Sequence, residues 1–141
     1  MADSFIHFFI NLSTYPFILY VIANWDRIIA RWTTNKYYRG KVSLITRDQI
    51  SVLLDDGDKI THRLDDVAAV LPDEAPTVDQ VNLATHIVAR WQGSKKYFIG
   101  FVTGKPSSSI YEVTFDDGDR GTYTLNQLRI LPNHDSPHNG R

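Results

Sequence analysis

The chain has 141 residues, of which 43% are hydrophobic, 12% aromatic and 22% charged, with a formal net charge of −1 and a pI near 6.5. These values are those of a folded globular chain, and nothing in them resembles the strongly basic balance of a protein that neutralises many phosphates. With no cysteine, disulfides, thiolate zinc sites and cysteine nucleophiles are excluded as well.

The chain opens on a segment, residues 5–23, that is mostly apolar and aromatic and about long enough to cross a bilayer. His7, Asn11, Ser13, Thr14 and Pro16 interrupt it, and Asp3 stands where a signal peptide carries positive charge. The reading is therefore an apolar extension over residues 1–25, packed on the folded unit that follows or poorly ordered, with membrane contact by residues 5–23 disfavoured.

A repeat follows. Ile29-Ala30-Arg31-Trp32 recurs as Val88-Ala89-Arg90-Trp91, an offset of 59 residues. Tyr38-Arg39-Gly40-Lys41-Val42 recurs as Phe98-Ile99-Gly100-Phe101-Val102, an offset of 60. Leu54-Asp55-Asp56-Gly57-Asp58 recurs as Phe115-Asp116-Asp117-Gly118-Asp119, an offset of 61. Val70-Leu71-Pro72 recurs as Ile130-Leu131-Pro132, back at 60. Matching blocks in one order, drifting only by single insertions and a deletion, mark an internal duplication.

In copy one, short strands are predicted over 27–32, 37–45, 49–54, 59–63 and 67–71. In copy two they are predicted over 86–91, 96–103, 110–115, 120–124 and 128–131. The runs at 50–54 and 111–115 are rich in β-formers and partly alternate. Asp56-Gly57 and Asp117-Gly118 are hairpin turns, because Gly supplies a positive φ and Asp tolerates one. Strands this short cannot cover a two-sheet core, but they can close into a small, strongly bent barrel. The expected layout is one barrel over 26–73, a polar linker over 74–84, a second barrel over 85–133 in contact with the first, and a flexible tail over 134–141.

Several of these residues together resemble the Tudor domain family. A Trp ends the first strand of each copy (Trp32, Trp91), and an aromatic stands two residues before a Gly in the second (Tyr38, Phe98). A hydrophobic-Asp-Asp-Gly turn closes the third strand. The pairing is similar to the tandem Tudor domains of chromatin methyl-lysine readers of the p53-binding-protein type, over about residues 26–133. The resemblance implies an all-β protein of two tandem five-stranded SH3-like (Tudor-type) barrels. It also implies a nuclear, non-enzymatic protein without cofactors that reads a methylated peptide, in the first place a histone tail. Lysine or arginine could carry the methyl groups.

In that family, aromatic rings and a carboxylate form a cage around the methylated ammonium. The positions carried over in copy two are Trp91, Phe98, Phe115 and Asp117, with Tyr97 and Asp119 as neighbours. In copy one they are Trp32, Tyr38, Leu54 and Asp56, with Tyr37 beside them. A methylated ammonium is weakly hydrated and cationic, so ring faces attract it by about 0.5–2 kcal/mol each, and a carboxylate adds Coulomb attraction. The residue after the turn Gly, often aromatic in the family, is Asp58 or Asp119 here, and Leu54 replaces a ring in copy one. Copy two is therefore the better cage.

The same residues carry plainer readings. Large aromatics in a small barrel serve as core as readily as cage. The Asp-rich turns lack the alternating ligands and closing Glu of an EF-hand, and His134 and His138 stand without other ligands, so no metal is expected. The run 100–107 is one residue short of a phosphate loop, with Pro106 in place of the Mg²⁺-holding Ser or Thr. Neither a nucleophile elbow nor an acid–base pair is evident. Two other binding roles compete: nucleic acid held by basic residues such as Lys36, Arg39, Lys95 and Lys96 interleaved with tyrosines, and an adaptor for an unmodified protein partner.

Overall fold

The computed structural model describes residues 27–91 and 93–132. The apolar extension 1–25 and the tail 134–141, with the expectations placed on them, lie outside the described residues. Strand follows strand: β1 (Ile28–Thr33), β2 (Lys36–Ile45), β3 (Gln49–Leu54), β4 (Lys59–Arg63) and β5 (Val70–Pro72), then β6 (His86–Arg90), β7 (Lys96–Ser107), β8 (Ile110–Phe115), β9 (Arg120–Tyr123) and β10 (Leu128–Ile130). Single 3-10 turns cover Val78–Gln80 and Leu125–Gln127, each opened by a Thr–Gln capping box.

The local reasons repeat between copies. In β3, Ile50, Val52 and Leu54 point inward, and in β8 so do Tyr111, Val113 and Phe115, as period-two alternation requires of a half-buried strand. At each third-to-fourth strand turn the Gly is in the left-handed region, φ 99° at Gly57 and 95° at Gly118. The preceding Asp caps both turns, since the Asp58 N–H donates to Asp56 Oδ1 and the Asp119 N–H to Asp117 Oδ1, each at 3.0 Å.

Each copy runs in the order fifth, first, second, third, fourth strand, all antiparallel, because β1 pairs β5 as well as β2 and β6 pairs β10 as well as β7. The fold is that of paired SH3-like barrels. β2 bends sharply, using one edge for β1 while its other edge serves β7 first and then β3. β7 does the same with β6, β2 and β8. Register shifts at Val42/Leu44 and Val102/Gly104 mark irregularities consistent with that curvature. Gly40 and Gly100 sit where these strands change partner, and a Cβ there would lie 2.6 Å from the carbonyl oxygen of Leu53 or Thr114. The fifth strand of copy one starts at Val70 rather than at Val67, because Leu64–Ala69 turns locally (Ala69 N–H to Asp66 O, 3.1 Å) and Asp66 pairs with Arg31.

The β2–β7 pairing, Lys36 to Phe98, Tyr37 to Tyr97 and Tyr38 to Lys96, joins the copies into one sheet. Behind it Ile29, Tyr37, Leu71, Val88 and Tyr97 form an apolar cluster shared by the copies, distinct from the core of each. Asp73, in the chain leaving copy one, ties this cluster to copy two. Its carboxylate accepts from Arg129 Nε (2.8 Å), Tyr97 Oη (3.0 Å) and Arg39 Nε (3.1 Å).

Candidate functional site

The carried-over positions of copy two meet at one place. Trp91 directly follows β6, Phe98 lies near the start of β7, Phe115 ends β8, and Asp117 and Asp119 flank the turn Gly. All line one open concavity of about 280 Å³. Trp91 stands 42% exposed as its outer wall, with its ring 5.5 Å from Phe98 and 5.8 Å from Phe115. Phe115, almost wholly buried, forms part of the floor and meets Tyr123 edge-on at 5.8 Å. The exposed carboxylates of Asp116, Asp117 and Asp119 stand on one side. Three rings with an acidic rim attract a cation that sheds water easily more than one that does not.

Asn35, Ile99 and Asp116 also line this concavity. Asn35 belongs to copy one and arrives through the β2–β7 pairing, where its carbonyl accepts from the Ile99 N–H at 3.2 Å. No local pattern in the sequence points to it. Asp116, by contrast, lies within the repeated turn and was open to discovery there.

Three residues expected at the cages, Tyr37, Tyr97 and Leu54, lie elsewhere. Tyr37 and Tyr97 are fully buried, and Tyr38 and Phe98, one residue further on, take the opposite face, partly buried against the core of their own copy. Tyr37 donates to Ala68 O at 2.6 Å and Tyr97 to Asp73 Oδ1 at 3.0 Å, so both are parts of the shared core and not of a cage. Burial pushes the Tyr37 hydroxyl up to about 12, with Arg31 opposing the rise. Burial also raises Tyr97, against the nearby Arg129. Leu54 is 2% exposed and belongs to the copy-one core, so it offers a ligand no wall.

What remains in copy one is Trp32, 37% exposed, and Tyr38, with ring centroids 6.2 Å apart, and the exposed Asp56, which caps its turn as Asp117 does. Lys96 of copy two places its ammonium 5.3 Å from the centre of the Trp32 ring. The reciprocal contact has Lys36 of copy one 5.9 Å from the centre of Phe98.

A larger hollow of about 460 Å³ lies elsewhere, between β5, the linker and the end of β10, lined by residues such as Val67, Leu71, Pro76 and Ile130. It holds no ring and brings together none of the predicted site residues. Among the described residues no helix is long and apolar enough to cross a membrane.

No protein family matches the chain, and no curated protein does. Solved structures do. The chain is similar to Arabidopsis thaliana AGDP1 AGD34 at 13% identity and a TM-score of 0.53, covering 86% of this chain and 90% of that one. It is also similar to the ADCP1 tandem Agenet domain 3-4 at 12% identity and a TM-score of 0.51, covering 86% and 89%. At such identities the likeness is one of fold: this chain has the all-β architecture of those structures.

Proposed function

We propose that the chain binds a methylated lysine side chain of a protein partner, in the first instance a histone tail in the nucleus, at the copy-two concavity. It acts there as a reader and not as a catalyst. The observation that carries this reading is the convergence of Trp91, Phe98 and Phe115 with the exposed carboxylates of Asp116, Asp117 and Asp119 around one opening. A methylammonium set among these rings gains cation–π attraction of about 0.5–2 kcal/mol per favourable face. The carboxylates accept an N–H that a mono- or dimethyl group still carries. A single pocket this small buries little surface, so affinity in the micromolar range is expected.

The test is titration of the full chain with one peptide sequence carrying un-, mono-, di- and trimethylated lysine, at low and moderate salt. Methylation should tighten binding about tenfold or more, by the energy of one or two ring faces. Asp117→Ala should weaken it while changing stability by about 1 kcal/mol at most, since the side chain is exposed and makes a turn hydrogen bond. Binding that ignores methylation and collapses as salt rises would mean that the basic residues hold a polyanion and that the rings only pack.

A further inference from the structure

The geometry points to a ligand in which an anionic side chain sits close to the methylated lysine; this rests on the reading just proposed. The reason lies in the β2–β7 register. Directly paired residues of antiparallel strands project to the same face, so Lys36, Phe98, Tyr38 and Lys96 share one face of the seam, while Tyr37 and Tyr97 share the other. On that face the lysines occupy one diagonal and the aromatics the other. Phe98 belongs to the copy-two ring group and Tyr38 to that of Trp32.

Neither lysine takes part in a salt bridge among the described residues, whose ion pairs all use arginine: Arg31–Asp66, Arg39–Asp73, Arg63–Asp65 and Arg129–Asp73. Both are half-buried instead, with their ammonium groups over the rings of Phe98 and Trp32. The concavity is thus polarised. Asp116, Asp117 and Asp119 line it, and the Lys36 ammonium lies beside its Phe98 wall, 5.9 Å from the ring centre. In an extended peptide, alternate residues lie on one side about 7 Å apart. A methylated lysine among the rings therefore places the side chain two residues away near Lys36, with Lys96 one diagonal step further. A carboxylate or phosphate there meets an ammonium with no salt bridge among the described residues, while a basic residue is repelled.

The experiment uses the full chain, as wild type and as the Lys36→Gln and Lys96→Gln variants. Its probes are peptides with unmethylated or dimethylated lysine, bearing Glu, Gln, phosphoserine, Ser or Lys two residues before or after that position. For wild type, Glu and phosphoserine on one side should tighten binding about two- to fivefold over Gln and Ser, as an exposed ion pair does. Phosphoserine should exceed Glu if phosphate is the better fit. The preference should vanish in Lys36→Gln, shrink in Lys96→Gln, and fall with salt. Methyl-dependent binding with no anionic preference on either side overturns this inference and leaves the proposed function standing. An anionic preference that needs Lys36 but not methylation overturns the proposed function and this inference with it. If Lys36→Gln tightens every peptide alike, the lysine is an internal competitor for the rings and the inference falls.

Discussion

Replacing Asp73 by Ala should destabilise the protein far more than an average polar substitution, because one carboxylate holds three donors at the junction of the copies. Its side chain is 10% exposed and that of its main partner, Arg129, 11%. Removing one member of a buried pair costs about 3–5 kcal/mol, since the other charge is left unpaired in a poor solvent for it. Arg129 keeps bonds from Nη1 to the carbonyl oxygens of Asn126 (2.8 Å) and Leu128 (2.7 Å), which places its loss at the lower end of that range. Arg39, 40% exposed at its side chain, adds about 1 kcal/mol at most. The Tyr97 hydroxyl loses its acceptor for about another 1 kcal/mol. These losses share one network and do not simply add, so the expected cost is about 4 kcal/mol. With a urea m-value near 2 kcal/mol/M, the midpoint should fall by about 2 M at unchanged slope. Adding Arg129→Met should recover part of the loss by removing the stranded charge. A fall for Asp73→Ala below about 0.5 M, or no recovery in the double variant, would refute the view that this cluster holds the copies together.

The Tyr37 hydroxyl is neutral in the fold and its folded pKa is raised from 10.0 to about 12. Its contribution is therefore complete below the unfolded value and lost as pH climbs through the folded one. Urea midpoints should decline across pH 10 to 12, and less steeply in Tyr37→Phe; an identical slope in that variant would assign the decline to other groups. Gly100→Ala, whose Cβ would meet Thr114 O at 2.6 Å, should cost about 2 kcal/mol or more, whereas Gly118→Ala, strained by its φ of 95° but with nothing within 4 Å, should cost about 1 kcal/mol. Thermal melts that rank these two the other way would contradict the close approach of β7 and β8.

The sequence alone determined what depends on near neighbours. Asp-Gly turns require only a positive φ and a short capping side chain, and they stand where Asp56-Gly57 and Asp117-Gly118 placed them. The duplication located the first four strands of each copy to within a few residues, because strand period and turn chemistry are properties of adjacent positions. Alternation told that Tyr97 and Phe98 point to opposite faces. It did not tell which face is inside, because β7 is covered on both: its own barrel core lies on the Phe98 side and the cluster shared with copy one on the Tyr97 side. Only the tertiary structure decided that, by setting β2 against β7. The same pairing brought Asn35 to the concavity of the other copy and placed Lys36 and Lys96 on rings far away in sequence. Side-chain burial and edge pairing depend on which surfaces meet after the chain has closed on itself, and no local periodicity encodes the partner.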